Sequence, residues 1–228
     1  YTITEAGFGA DLGAEKFIDI KCRKTGLKPD AVVCVATIKA LKYHGGQEIE
    51  NIEKGNLEYL ETGIENLLKH IDNLKNKFGL NVVVAINRYN MDTEAEIKLL
   101  ENKLKEKDVE LSLAEVWAKG GKGAEDLAKK VINLCKKEEK TLNFMYKNDE
   151  TIENKIRNVS QKIYGAEDIE FSDIAKEQLN EIKNTGIDIT NYPVCIAKTQ
   201  YSLSDNPKDL LCKEKFKIHI KEIILKNG

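Results

Sequence analysis

Two short apolar runs separated by an amphipathic segment constrain the fold of this 228-residue chain more than any other feature. Residues 30–37 read Asp-Ala-Val-Val-Cys-Val-Ala-Thr, and residues 81–87 read Asn-Val-Val-Val-Ala-Ile-Asn. Continuous apolar runs of this length are typical of strands buried on both faces. Between them, residues 57–78 place leucines and isoleucines at spacings of three and four, which predicts a helix that Gly79 ends. A strand, a helix and a second strand make a parallel crossover unit.

The same alternation of helices and strands continues to about residue 140. Thr93-Glu-Ala-Glu96 is a capping box that predicts a helix over residues 93–107. A strand over 109–116 and a helix over 124–137 follow. The sequence therefore predicts an α/β fold with a mostly parallel sheet flanked by helices.

The periodicity weakens after residue 140, where a smaller α+β C-terminal region is expected. Apolar spacing predicts helices near 151–163 and 173–184. Strands are expected near 194–199 and 216–224, the second from its alternation of isoleucines with polar residues.

The charge balance excludes some classes of partner. A formal net charge of -2, from 36 basic and 38 acidic residues, leaves no global field for binding nucleic acid or an anionic membrane. No apolar run approaches the roughly 20 residues that span a bilayer, and the N-terminus lacks the order of a secretory signal. A cytoplasmic location is expected.

The cysteines and histidines give little support for a disulfide framework or a transition-metal site. The five cysteines are an odd number, widely spaced and without a C-x-x-C pair, and the three histidines lie apart in sequence. Reduced thiols and no metal site are therefore expected. The cysteines are Cys22, Cys34, Cys135, Cys195 and Cys212.

Three polar segments follow predicted strands, which is where ligands collect in open parallel sheets. They are residues 37–46, 87–93 and 117–123. The last couples the single Trp117 to a glycine-rich turn with two lysines, which is either a flexible loop or an anion site. It is not a Walker motif, because Lys122 is followed by Gly123.

The aromatic residues of these segments allow two interpretations. Trp117 is either a packing residue or, with Tyr89, one half of a stacking platform for a flat ligand. Asp92 and Thr93 are explained as a helix N-cap, whereas Asn87 and Arg88 can either close the strand or recognise a ligand edge. Asn87 and Asp92 are too far apart in sequence for a guanine-binding loop.

The N-terminal stretch Thr4-Glu-Ala-Gly-Phe-Gly-Ala-Asp-Leu-Gly13 is not a dinucleotide fingerprint, because its third glycine falls one place late. Gly7 and Gly9 still permit close backbone approach to a ligand. Glu5 and Asp11 can accept hydrogen bonds or help to place a cation. The alternative is a loop that is tied to a neighbouring element.

Five motifs extend along the chain from the first residues to about Pro207. The motifs are Thr4 to Phe17, Ala40-Leu-Lys-Tyr-His-Gly-Gly46, Asn87-Arg-Tyr through Glu96, Glu115-Val-Trp-Ala-Lys-Gly-Gly121, and Pro193-Val-Cys-Ile-Ala-Lys-Thr-Gln-Tyr-Ser-Leu-Ser-Asp205. In this order they resemble the formate–tetrahydrofolate ligase family.

The resemblance implies a fold, a reaction and a set of partners. The fold is a segment of a P-loop-NTPase-like ligase, with residues 1–78 as the remainder of the nucleotide-binding domain and 79–228 as the folate-binding and C-terminal domain. ATP phosphorylates formate, and N10 of tetrahydrofolate then attacks the formyl phosphate to give 10-formyltetrahydrofolate. Mg²⁺, a monovalent cation and a homotetramer are implied in the same way, and the phosphate loop is expected upstream of Tyr1, so the fragment alone should be inactive.

The resemblance also implies site residues. Trp117 and Tyr89 match the rings that sandwich the pterin, and Leu113 lines the same pocket. Gly7, Phe8 and Gly9 match the segment near the phosphates and the formyl phosphate intermediate, and no residue is assigned a catalytic role. The family more often has Phe at the position of Tyr89. A non-catalytic ligand-binding or assembly module derived from such a ligase is the alternative, and a nucleotide-binding regulator is the weaker third.

Overall fold

A computed structural model describes residues 1–137, 141–211 and 215–226. The α/β class with parallel sheets flanked by helices is confirmed. The chain divides into two units: Tyr1–Leu27 with Phe144–Gly228, which we call the terminal unit, and Lys28–Asn143, which we call the sheet unit. The expected division at residue 79 concerns which ligand each part holds, and it stays a prediction.

Eight α-helices and five strands follow one another along the described part of the chain. The α-helices are α1 (Arg23–Thr25), α2 (Ile38–His44), α3 (Leu57–Asp72), α4 (Glu94–Glu106), α5 (Val116–Lys119), α6 (Glu125–Cys135), α7 (Ile152–Val159) and α8 (Asp173–Asn184). The strands are β1 (Val32–Ala36), β2 (Val82–Asn87), β3 (Glu110–Ala114), β4 (Asp168–Phe171) and β5 (Lys217–Ile220). Wider π-helical turns cover Gly9–Ala14, Phe17–Cys22, Asn73–Lys77 and Ser160–Tyr164, and 3-10 turns cover Ile49–Asn51 and Gly120–Ala124.

The sheet unit contains three parallel strands in the order β1-β2-β3. The central strand β2 is buried from Val82 to Ile86, as its apolar run predicts. The prediction of burial on both faces is wrong for β1, because Val33 and Val35 are 38% and 67% exposed. Among the described residues β1 pairs only with β2, so it is an edge strand with one uncovered face.

Helices α2 and α3 of the sheet unit approach each other at two glycines. A Cβ atom on Gly45 would lie 1.8 Å from the carbonyl oxygen of Tyr59, and one on Gly63 would lie 1.8 Å from that of Leu41. From the sequence, residues 37–46 are expected only as a polar segment after a strand. The structure instead begins α2 there, with the Thr37 side chain accepting the Ala40 N–H as an N-cap.

A buried ion pair joins α2 to α4. Lys42 Nζ lies 3.0 Å from Glu96 Oε1, and both residues have no exposed surface. Lys42 also donates to the carbonyl oxygen of Lys54. Glu96 accepts the Asn56 N–H and closes the predicted capping box with Thr93, which is confirmed.

The terminal unit begins with a helical segment over residues 9–25, which ends at Gly26 with a φ of 72°. From the sequence, residues 4–13 are expected as a ligand loop or a tied loop, so the helical turns from Gly9 were not predicted. The unit also contains α7, α8 and the parallel pair β4 and β5. Strand β4 was not predicted, and β5 is shorter than the expected range of 216–224.

The strand expected near 194–199 is wrong, because these residues are irregular. Two lysine ammonium groups bind carbonyl oxygens in and around this segment. Lys155 Nζ donates to Thr190 O at 2.5 Å and Tyr192 O at 2.9 Å, and Lys198 Nζ donates to Thr199 O and Ser202 O. Side-chain donors thus satisfy carbonyl oxygens on both sides of the segment, and within the range expected as a strand they satisfy that of Thr199.

In the described part of the chain, no helix is both long and apolar enough to cross a membrane. Cys22, Cys34, Cys135 and Cys195 are free thiols, and Cys212 lies outside the described residues. Burial raises the pKa of the Cys34 thiol to about 11.

Candidate functional site

The loops after β2 and β3 leave the sheet at neighbouring points. Asn87, the last residue of β2, is paired in register with Ala114, the last residue of β3. Because parallel strands end at the same edge, residues 87–93 and 115–123 emerge side by side. Each loop carries one exposed ring, since Tyr89 is 39% and Trp117 60% exposed. This exposure excludes the interpretation of Trp117 as a core residue.

Trp117 is anchored to the neighbouring loop through its indole nitrogen. Nε1 donates a hydrogen bond to the carbonyl oxygen of Arg88, 3.0 Å away. The Arg88 guanidinium lies 2.6 Å from Glu94 Oε1 and 3.8 Å from Glu115 Oε1. Arg88 therefore links the two loops, and its positive charge is paired with the Glu94 and Glu115 carboxylates.

A reciprocal pair of hydrogen bonds closes the turn that carries Tyr89. The Tyr89 N–H donates to Asp92 Oδ2 at 2.8 Å, and the Asp92 N–H donates to the Tyr89 carbonyl at 3.1 Å. Asp92 is only 5% exposed, and burial raises the pKa of its carboxyl group. Thr93 then caps α4, as the sequence predicts.

The Trp117 loop is closed at its base. The Glu115 N–H donates to the Gly123 carbonyl, and a Cβ on Gly123 would lie 2.4 Å from the Glu115 carbonyl oxygen. Lys119 forms an ion pair with Glu115, and α6 begins with Glu125 and Asp126. Acidic side chains already complement the first turn of this helix, so the geometry favours the loop interpretation over an anion site.

Leu113, expected to line the folate pocket, is half-buried on β3 opposite Ile86. Two residues of chain, Ala114 and Glu115, separate it from the helical turn that carries Trp117. The structure thus brings Tyr89, Trp117 and Leu113 to one end of the sheet unit.

Gly7, Phe8 and Gly9 belong to the terminal unit. Phe8 is 89% exposed, and Gly9 has a φ of 71°, a backbone conformation that glycine tolerates. Gly13 lies so close to this segment that a Cβ on it would be 1.7 Å from the Gly7 carbonyl oxygen. The backbone at Gly7 therefore packs directly against the helical turns of Gly9–Ala14.

Asp11, expected as a ligand or cation acceptor, is instead committed to a buried ion pair. Its Oδ2 atom lies 2.8 Å from Lys198 Nζ, and both side chains are 5% exposed or less. Lys198 also lies 4.8 Å from the centre of the Tyr164 ring. The pair joins two of the motifs that carried the family resemblance.

A buried acidic row, which was not predicted from the sequence, lies along the helical segment of residues 9–25. Asp11, Glu15 and Asp19 follow one another at spacings of four and are all 3% exposed or less. Burial and the neighbouring Asp19 carboxyl raise the pKa of Glu15 to about 9. Burial also raises the pKa of Asp19 to about 6, although the Met145 N–H and Arg23 oppose this. Burial and the neighbouring Asp19 carboxyl therefore both favour the protonated form of Glu15.

Nowhere in the described ranges do three or more His, Cys, Asp or Glu side chains group so as to hold a metal ion. Neither Mg²⁺ nor a monovalent cation is therefore assigned to a residue of this chain.

The sequence was also compared with models of protein families. The model described as formate–tetrahydrofolate ligase matches residues 1–228.

Proposed function

The chain belongs to the formate–tetrahydrofolate ligase family, and we propose that its sheet unit binds tetrahydrofolate between Tyr89 and Trp117. Members of the family use ATP, formate and tetrahydrofolate. The observation that carries the proposal is the pair of exposed rings at adjacent strand ends, one of them anchored through Trp117 Nε1 to Arg88. Large exposed aromatic surfaces attract flat heteroaromatic ligands, because stacking removes both faces of the ligand from water.

The proposed folate site consists of two aromatic rings and one leucine. The Trp117 and Tyr89 rings contact the two faces of the pterin, and Leu113 contributes apolar surface to the same pocket. Stacking of this kind contributes roughly 0.5–1.5 kcal/mol per ring beyond the area buried. The Tyr89 hydroxyl adds a polar group that phenylalanine lacks, so it can contact a polar edge of the ligand.

The proposed reaction is the transfer of the ATP γ-phosphoryl group to formate, followed by attack of folate N10 on formyl phosphate. Such chemistry depends on positioning and on neutralising charge more than on covalent catalysis. In this chain, Gly7, Phe8 and Gly9 are proposed to lie near the phosphates and the intermediate. Gly9 supports this because a glycine with a φ of 71° allows close backbone approach.

The chain by itself is proposed not to complete the ligation. The G-x-x-x-x-G-K-[ST] pattern, which binds ATP phosphates, does not occur in these 228 residues. The nearest stretch, Gly121-Lys122, is followed by Gly123. We expect no product that depends on ATP, formate and folate when this chain is assayed alone. Detecting that product would contradict the division of roles. A homotetramer in the cytoplasm is proposed on the family resemblance alone.

The folate site can be tested directly on this chain, because Trp117 is its single tryptophan. Titration with tetrahydrofolate should quench Trp117 fluorescence, and Tyr89→Ala should weaken binding about tenfold, equivalent to about 1.4 kcal/mol. Tyr192→Ala is the matched control, since Tyr192 is 40% exposed but lies in the terminal unit. Equal affinities for the Tyr89→Ala variant and the unchanged chain would overturn the proposal.

A non-catalytic ligand-binding module derived from such a ligase is the second candidate. The two candidates predict different behaviour of the full-length protein. A full-length ligase forms 10-formyltetrahydrofolate and loses that activity with Trp117→Ala, whereas a full-length binding module binds folate without forming product.

A further inference from the structure

Asp92 is the most deeply buried charged residue of the Tyr89 loop, at 5% exposure. Its Oδ2 atom accepts the Tyr89 N–H at 2.8 Å. Its own N–H returns a hydrogen bond to the Tyr89 carbonyl. Its Oδ1 atom is buried and has no hydrogen-bond partner among the described residues. Burying this carboxylate away from water costs free energy. Among the described residues, the hydrogen bond from the Tyr89 N–H is the one that directly offsets this cost.

The buried ion pair of α2 and α4 lies near Asp92. The charged groups that act on Asp92 are Glu96, which disfavours its ionised form, and Lys42 and Arg88, which favour it. Glu96 is in turn fixed by Lys42, by the Asn56 N–H and by the Thr93 cap. The Tyr89 backbone is thus held by a carboxylate that lies near a buried ion pair, while the Tyr89 ring stays exposed.

We propose that Asp92 is a positioning residue for the folate site, which holds the Tyr89 backbone so that the ring faces Trp117 before the ligand arrives. The inference rests on the proposed function of the sheet unit. Fixing the ring in advance lowers the ordering cost of binding, since a loop without the Asp92 acceptor has to be ordered by the ligand. Asp92 acts through Tyr89 and makes no contact with substrate.

The test is a double-mutant cycle on tetrahydrofolate affinity, read by Trp117 fluorescence. Asp92→Ala should weaken binding about tenfold, because it removes one hydrogen bond between a backbone N–H and a carboxylate. In a Tyr89→Ala background the same substitution should change affinity less than twofold, since no ring remains to be positioned. Asp92→Asn keeps an acceptor oxygen and should bind within threefold of the unchanged chain.

Two further variants keep the test decisive. Asp92→Glu retains the charge but displaces the acceptor by one methylene, so it should reproduce the loss even if the alanine variant does not fold. Asp188→Ala is the control. It removes a similar carboxylate, which accepts the Thr190 N–H at 2.9 Å, but it does so in the terminal unit, so the folate affinity should stay unchanged.

The outcomes separate the two proposals. If Tyr89→Ala weakens binding but Asp92→Ala does not, or if the two losses simply add, the positioning role is wrong and the folate site stands. If Tyr89→Ala has no effect, the folate site fails and the role of Asp92 falls with it.

Discussion

The indole N–H of Trp117 donates a hydrogen bond to the carbonyl oxygen of Arg88, 3.0 Å away, and this bond joins the loop after β3 to the loop after β2. Arg88 directly precedes Tyr89, so the bond restricts how far apart the two exposed rings can move. Glu115 reinforces the link, because its Oε1 atom lies 3.8 Å from Arg88 Nη1 and Glu115 directly precedes α5, which carries Trp117. The bond therefore limits how far the two loops that carry these rings can separate.

Removing only this hydrogen bond should weaken folate binding while keeping an aromatic face. Trp117→Phe is expected to lower tetrahydrofolate affinity about 2- to 10-fold, which corresponds to a net hydrogen-bond contribution of roughly 0.5–1.5 kcal/mol. Trp117→Ala should cost more, because it also removes the ring. Calorimetry measures both, since the fluorophore is lost. Equal affinity for Trp117→Phe and the unchanged chain would show that the bond to Arg88 does not position the ring.

Breaking the buried ion pair should destabilise the sheet unit strongly. Lys42→Met leaves the Glu96 carboxylate buried without its ammonium partner, and the free energy of unfolding should fall by about 3–5 kcal/mol in urea titrations. Lys103→Met is the control, because its partner Glu61 is exposed and water replaces the lost contact. If the two variants unfolded at the same urea concentration, the pair would not be a major support of the fold.

The contact between α2 and α3 should not tolerate a methyl group. Gly63→Ala places a Cβ 1.8 Å from the Leu41 carbonyl oxygen, so the helices must separate at a cost of roughly 1–3 kcal/mol. Gly121→Ala is the matched substitution, since no atom lies within 4 Å of its added Cβ. Thermal unfolding should show a lower Tm for Gly63→Ala alone. An unchanged Tm would mean that the helix contact is looser than described.

The raised pKa of Glu15 predicts a pH dependence of the terminal unit. A carboxyl group whose pKa rises from 4.5 to about 9 on folding stabilises the fold fully below pH 4.5 and loses that contribution as the pH rises towards 9. Asp19 acts in the same direction, between its ordinary value of 3.8 and about 6. Glu15→Gln stays neutral, so its Tm should exceed that of the unchanged chain at pH 8.

Thermal unfolding between pH 5 and pH 9 measures this difference. The Tm of a chain of this size rises by about 2–4 °C for each kcal/mol of added stability, so a Tm difference of a few degrees is expected at pH 8. The two Tm curves should converge as the pH falls towards 5. Parallel curves across the whole range would show that Glu15 does not carry a proton at neutral pH.

Much of the sheet unit follows from local patterns. Apolar runs predict β1 and β2, the spacing of leucines predicts α3, and Thr93 with Glu96 predicts the start of α4. These features are local, because a strand buried in a parallel sheet and a capped helix each leave their own periodicity in the chain. Tyr89 and Trp117 were singled out differently, by their place after predicted strands and by the resemblance to the ligase family.

The features that escaped prediction depend on residues far apart in the chain. The apolar residues near 194–199 suit a strand by composition, but the distant Lys155 supplies a side-chain donor to the carbonyl oxygens of Thr190 and Tyr192 just before them. The acidic row of Asp11, Glu15 and Asp19 does have a spacing of four as a local signal. Its burial requires distant partners, such as Lys198 for Asp11 and the Met145 N–H for Asp19, that no local pattern identifies.

The sequence by itself determined the α/β class, the main elements of the sheet unit and the two rings proposed to bind folate. Only the tertiary structure decided that Trp117 is bonded to Arg88, that Asp92 holds the Tyr89 backbone, and that Lys42 and Glu96 form a buried pair. The physical reason is the range of the forces involved. Periodicity and capping act within a few residues, whereas hydrogen bonds and ion pairs of buried groups depend on which distant segments the fold brings within about 3 Å.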